Sequence, residues 1–102
     1  MVKCKRKGIE FERKVKKYLE SLGYVVIRSA ASRTPDLVAL KKGEKPKLIE
    51  CKAGGKITTD EMKKLRELID KSGAEAWVAY PKSKYINSSE KKFIVWRLLS
   101  KT

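Results

Sequence analysis

The 102-residue chain carries 26 lysines and arginines against 12 acids and no histidine, a formal net charge of +14. Such an excess points to a polyanionic partner, and nucleic acid fits because many weak phosphate contacts add up and attract from a distance. The absent imidazole excludes Ser/His/Asp triads, Cys/His hydrolases, histidine-ligated zinc sites and histidine-base nucleases, leaving carboxylates, lysine and a hard metal for any chemistry.

Phe11, Val15, Tyr18, Leu19 and Leu22 recur at helical spacing and Gly23 closes the run, which predicts an amphipathic helix over residues 8–22. The β-branched run 24–28 predicts a first strand, and the polar stretch 29–34 follows it. Pro35 sets up extended backbone ahead of a second strand, 36–40, and residues 42–46 with Gly43 read as a hairpin turn into a third strand, 47–53. Gly54 and Gly55 break that strand. Thr58 then opens a second helix, with Glu61 three residues on as a capping box and Ile57 against Met62 as a hydrophobic staple. Met62, Leu65, Leu68 and Ile69 form its buried stripe, and Gly73 ends it. A fourth strand over 74–80, a polar loop over 81–90 and a fifth strand over 93–99 complete the chain. The order αβββαββ predicts one α/β domain over residues 1–102, a mixed five-stranded sheet flanked by helices.

No apolar run approaches the length of a bilayer span, and the basic start (Lys3, Lys5, Arg6, Lys7) lacks the hydrophobic stretch of a signal peptide. A cytoplasmic protein is expected, with no membrane and no small-molecule cofactor. Cys4 and Cys51 lie far apart without a second CxxC pair, so reduced thiols are expected rather than a disulfide or a zinc site.

An acid inside an apolar strand of so basic a chain demands an explanation, because burying an unpaired carboxylate costs several kcal/mol. Asp36 and Glu50 are two such acids. Strand alternation puts Leu48, Glu50 and Lys52 on one face and Ile49, Cys51 and Ala53 on the other. Folding 36–40 back on 47–53 brings Asp36 opposite or diagonal to Glu50 and Lys52 if the register keeps parity. Two carboxylates suit Mg²⁺, with Mn²⁺ as a substitute, and the backbone carbonyl of Cys51 is a candidate further ligand. Lys52 would orient the attacking water or neutralise charge developing on the phosphate. On the first helix, Glu12 lies about 75° from the middle of the apolar stripe and Glu10 about 125°, so Glu12 is the acid that can face the sheet. It would hold a metal-bound water or a second metal; a surface pair with Lys16 is the alternative.

Pro35-Asp36 stands fourteen residues before Glu50-Cys51-Lys52, behind an amphipathic helix, and this pattern resembles the PD-(D/E)xK nuclease superfamily. Within it the chain is similar to the archaeal Holliday junction resolvases. Arg6-Lys7-Gly8-Ile9-Glu10-Phe11-Glu12-Arg13 resembles their opening R-K-G-x-x-x-E-R, Arg28-Ser29-Ala30-Ala31-Ser32 their R-S-A-G-S, and Asp36-Leu37-Val38-Ala39 their V-D-L-V-A. The resemblance runs from Arg6 to about Lys52. It implies a PD-(D/E)xK nuclease-like fold with Glu12, Asp36, Glu50 and Lys52 catalytic and metal-binding, and a Mg²⁺-dependent endonuclease. It also implies DNA contacts from Arg13 and Arg28, a role for Ser32 beside the scissile phosphate, and homodimers that cut a four-way junction in paired symmetric nicks. The polar loop between Arg28 and Arg33, leading into Asp36, itself reads as a phosphate-approach segment with Ser29 and Arg33 as candidate DNA contacts. Leu68 and Ser72 stand where relatives often carry aromatic residues. The aromatic residues of the late strands (Trp77, Tyr80, Phe93, Trp96) are expected in the core. Two other readings stand beside this one: a nuclease of the same superfamily acting on other DNA structures, and a noncatalytic DNA-binding module.

Overall fold

The first helix, α1 (Val2–Ser21), begins ahead of the predicted Gly8. Residues 2–7 contain no proline, and a glycine within a helix costs only about 1 kcal/mol relative to alanine, so Gly8 does not end it. The computed structural model describes residues 2–29, 34–53, 56–81 and 93–97, with side chains within 8–29, 34–53 and 56–81. The helix closes as the Gly23 N–H donates to the Glu20 carbonyl at 3.0 Å and the Tyr24 N–H to the Leu19 carbonyl at 3.2 Å. Gly23 sits at φ 98°, a conformation that strains a residue bearing a Cβ.

Strand β1 (Val25–Arg28) is followed by β2 (Leu37–Leu40) and β3 (Lys47–Cys51), the last two joined by a turn with Gly43 at φ 84°. Helix α2 (Thr59–Ser72) then leads to β4 (Glu75–Pro81), and β5 (Phe93–Arg97) is the last strand described. The α/β architecture matches the expected element order. Pro81, expected to open a polar loop, instead ends β4, and the rest of that predicted loop, 82–90, lies outside the described residues. The sheet runs β1-β2-β3-β4-β5, antiparallel throughout except for the parallel β3–β4 pair that the α2 crossover permits.

Helix α2 is specified as its sequence suggests. Thr58 Oγ1 accepts the Glu61 N–H at 3.1 Å while Glu61 Oε1 accepts the Thr58 N–H at 2.9 Å, a complete capping box. Gly73 closes the other end in the left-handed region, its N–H donating to Ile69 O at 2.8 Å. Replacing Thr58 by alanine is expected to cost about 1 kcal/mol, read as a lower urea midpoint with an unchanged slope.

The two helices cover opposite faces of the sheet. Phe11, Val15 and Leu19 of α1 pack on Val26, Leu37, Ala39, Ile49 and Ala79, with Trp77 at the margin. Leu65 and Ile69 of α2 pack on Leu48, Ala74 and Ala76, with Val38 and Leu68 beside them. The pairing Leu37 with Ile49 and Val38 with Leu48, carried one step further, sets Asp36 against Glu50. Parity is therefore as required: both acids belong to the α2 face, at the end of β2 and β3 where α2 begins. Among the described residues no helix is long and apolar enough to cross a membrane.

Candidate active site

Asp36 precedes β2 and reaches across to β3, where its Oδ2 accepts the Cys51 backbone N–H at 2.8 Å. That bond fixes a half-buried carboxylate beside the strand that carries Glu50. Glu50 is 3% exposed, the one charged side chain in the core among the described residues. Its Oε1 is fully buried and has no hydrogen-bond partner. Burial pushes Glu50 up to about 8, and the neighbouring charges of Asp36 and Glu61 push in the same direction. Burial likewise raises Asp36 to about 6, against the Cys51 N–H, with the charge of Glu12 adding to the rise.

Lys52 follows β3, its backbone N–H held by the Ala79 carbonyl at 2.9 Å. Its ammonium lies between two carboxylates, 2.7 Å from Glu61 Oε2 and 3.7 Å from Glu50 Oε2. Burial works against the charge of Lys52, but the bond to Glu61 and the surrounding acids outweigh it and raise its pKa. Nζ therefore keeps its proton and its positive charge at neutral pH. Cys51 is a free cysteine whose thiol is pushed well upward by burial, so it remains neutral S–H.

Glu12 stands on the opposite side of the sheet edge, where Arg28 Nε donates to its Oε1 at 3.1 Å. The surface pairing with Lys16 is not formed: Lys16 pairs with Glu20 at 2.8 Å. The exposed guanidinium of Arg28 thus has a carboxylate partner in Glu12. Ser29 anchors the polar stretch, its Oγ donating to the Pro35 carbonyl and its N–H to Asp36 O at 3.0 Å. Arg13 is exposed on α1. Ser32 and Arg33 lie outside the described residues.

Among the described residues, no three His, Cys, Asp or Glu groups form a cluster that could hold a metal. Of the expected donors, Asp36 and Glu50 form the pair at the hairpin end, and the Glu12 carboxylate is near enough to Asp36 to raise its pKa. The pair nevertheless fits a hard divalent cation. Two acids that burial and mutual repulsion both disfavour, with one orphaned buried oxygen, are what such an ion relieves, and Mg²⁺ commonly uses one or two carboxylates with waters completing its shell. Glu61 was legible in sequence only as a helix cap; its second oxygen, on Lys52, depends on how α2 docks against β3.

A paired Asp and Glu at a hairpin end, with a charged lysine two residues on, on a sheet between two helices, narrows the comparison to families with that layout. The family described as archaeal Holliday junction resolvase (Hjc) matches residues 3–102. The chain belongs to the archaeal Holliday junction resolvase family. It is 40% identical over 78 residues to the crossover junction endodeoxyribonuclease Hjc of Methanocaldococcus jannaschii, a match covering 72% of this chain and 58% of that relative. It is also similar to the solved structure of Archaeoglobus fulgidus Hjc, a Holliday junction resolvase from an archaeal hyperthermophile. There the TM-score is 0.68 at 28% identity, over 89% of this chain and 72% of that one. The family match extends past Lys52, where the motifs legible in this sequence thin out, to residue 102.

Proposed function

We propose that this chain is a structure-selective endodeoxyribonuclease that resolves four-way DNA junctions by metal-dependent hydrolysis. Membership of the resolvase family supports the substrate class. The observation that carries the chemistry is Glu50, a buried carboxylate with an unpartnered oxygen, set beside Asp36 and within reach of Lys52. Asp36 and Glu50 would hold Mg²⁺, or Mn²⁺ in its place, which supplies an acidified water and draws off phosphate charge when bound.

The residues of the chain do the rest. Asp36 is kept in place by the Cys51 N–H, so it presents one oriented carboxylate instead of a mobile one. Lys52 meets negative charge as it develops on the scissile phosphate, and its ammonium is already oriented by Glu61. Arg28, Ser29 and Arg33 bracket the stretch that leads to Asp36, and with Arg13 on α1 they would position the DNA backbone; Ser32 would lie beside the scissile phosphate. Glu12, which accepts from Arg28, would hold a metal-bound water or help bind a second metal.

One site makes one nick, so symmetric resolution requires two copies related by a two-fold axis. Val25, Ile27 and Leu40 stay exposed on the α2 side of the β1 edge, an apolar surface that a second copy would cover. Incubation with end-labelled four-way junction, flap and duplex DNA, in Mg²⁺ and in EDTA, tests the proposal. Metal-dependent paired incisions at symmetric positions in the junction alone are expected. Equal cutting of all three substrates would instead favour a general nuclease, and no cutting a noncatalytic DNA-binding module.

A further inference from the structure

The capping box of α2 uses only half of Glu61. Its Oε1 accepts the Thr58 N–H at 2.9 Å, which completes the cap. Its Oε2 lies on the other side of the carboxylate, 2.7 Å from Lys52 Nζ, and contributes nothing to the cap. The backbone beneath Glu61 is held by Thr58 and by the burial of Leu65 and Ile69 against the sheet. A residue anchored in this way offers the flexible lysine stem a fixed partner.

Glu50 Oε2 is the competing partner, 3.7 Å from the same ammonium. Without Glu61 the ammonium would close onto Glu50 and occupy the carboxylate that the site needs open. With Glu61 present, the ammonium is drawn away toward α2. We propose that Glu61 is a positioning residue, coupling the N-terminus of α2 to Lys52 and keeping its ammonium off Glu50. This rests on the nuclease reading above, in which Lys52 and Glu50 have separate tasks.

The variant that separates the two halves of Glu61 is Glu61→Gln. Glutamine also completes a capping box, so the helix end is retained while the charge toward Lys52 is removed. Thr58→Ala is the converse, weakening the cap while leaving the Glu61 carboxylate charged. For Glu61→Gln, kcat on the four-way junction is expected to fall by about 10²-fold, the scale set by misplacing a catalytic group by an ångström, with KM and melting temperature near wild type. For Thr58→Ala, the melting temperature is expected to fall while kcat holds.

A second readout does not depend on cleavage. In protein carrying ¹⁵N-lysine, the Lys52 ammonium should give a slowly exchanging resonance, identified by its absence from Lys52→Arg and lost in Glu61→Gln. Wild-type kcat in Glu61→Gln, a loss of kcat that follows melting temperature across both variants, or an unchanged Lys52 resonance would each overturn the assignment. If the wild-type protein cuts no DNA, the nuclease reading fails by itself, and the resonance still decides whether Glu61 holds Lys52.

Discussion

In EDTA at pH 8, Glu50→Gln is expected to melt several degrees higher than the wild-type protein while losing junction cleavage by about 10³-fold. The stability effect follows from the direction of the carboxylate shifts. Glu50 is raised to about 8 and Asp36 to about 6, from ordinary values of 4.5 and 3.8. The folded protein thus binds more protons than the unfolded chain across that interval. Stability from these groups is full below about pH 4 and drains away as pH rises through about 6 and then about 8.

Each pKa unit is worth about 1.4 kcal/mol, so a buried glutamate shifted this far costs the metal-free fold on the order of a few kcal/mol at its alkaline limit. A glutamine carries no charge to desolvate, and the unpaired amide it leaves returns about 1–3 kcal/mol of that gain. The wild-type melting temperature should therefore decline from pH 5 to pH 8 in EDTA, with the variant keeping only the shallower decline that Asp36 contributes up to about pH 6 and the two curves crossing. Adding Mg²⁺ at pH 8 should restore the wild type and leave the variant unmoved, since an ion that binds only the folded state stabilises it and displaces protons as it does so. Parallel wild-type and variant curves in EDTA would show that Glu50 is not the group under electrostatic stress.

The hairpin acids could be placed from sequence because strand parity is a rigid rule. Once 36–40 folds back on 47–53, Asp36 and Glu50 share a face or the apolar residues around them do not, and Leu37 with Ile49 in one core and Leu48 in the other settles the matter. The capping box at Thr58 and Glu61 was equally legible, because both partners lie within one turn. Two pairings were not. Glu12 has a lysine four residues on, which local rules favour, yet it joins Arg28 from the neighbouring strand, and Lys16 turns to Glu20. The tie from Lys52 to Glu61 likewise spans two elements whose approach is set by the packing of Leu65 and Ile69. Local pattern predicts elements and faces; partners across elements come from docking. The N-terminal extension of α1 is not legible in the sequence because a glycine reads as a boundary where it is only a weak point.

Lys52→Ala is expected to abolish cleavage, with at least a 10³-fold fall in the single-turnover rate, while junction affinity and metal binding stay within a few fold of wild type. The split arises because Lys52 is one cation among 26 lysines and arginines, so its loss removes little of the long-range attraction that binds DNA. What it removes is the ammonium seated on Glu61 at 2.7 Å, beside Glu50 at 3.7 Å, at the site itself. Because that ammonium stays charged, it acts by stabilising charge that grows along the reaction and not by taking a proton, and such a contribution appears in the rate without appearing in binding. Lys52→Arg should not rescue. A planar guanidinium is a fork in place of a compact point charge, and the 2.7 Å seat on Glu61 accommodates the latter. Binding measured by fluorescence anisotropy in Ca²⁺, alongside single-turnover cleavage in Mg²⁺, separates the two quantities. Equal losses in affinity and rate would make Lys52 a DNA-holding residue, and an unimpaired rate would remove it from the chemistry altogether.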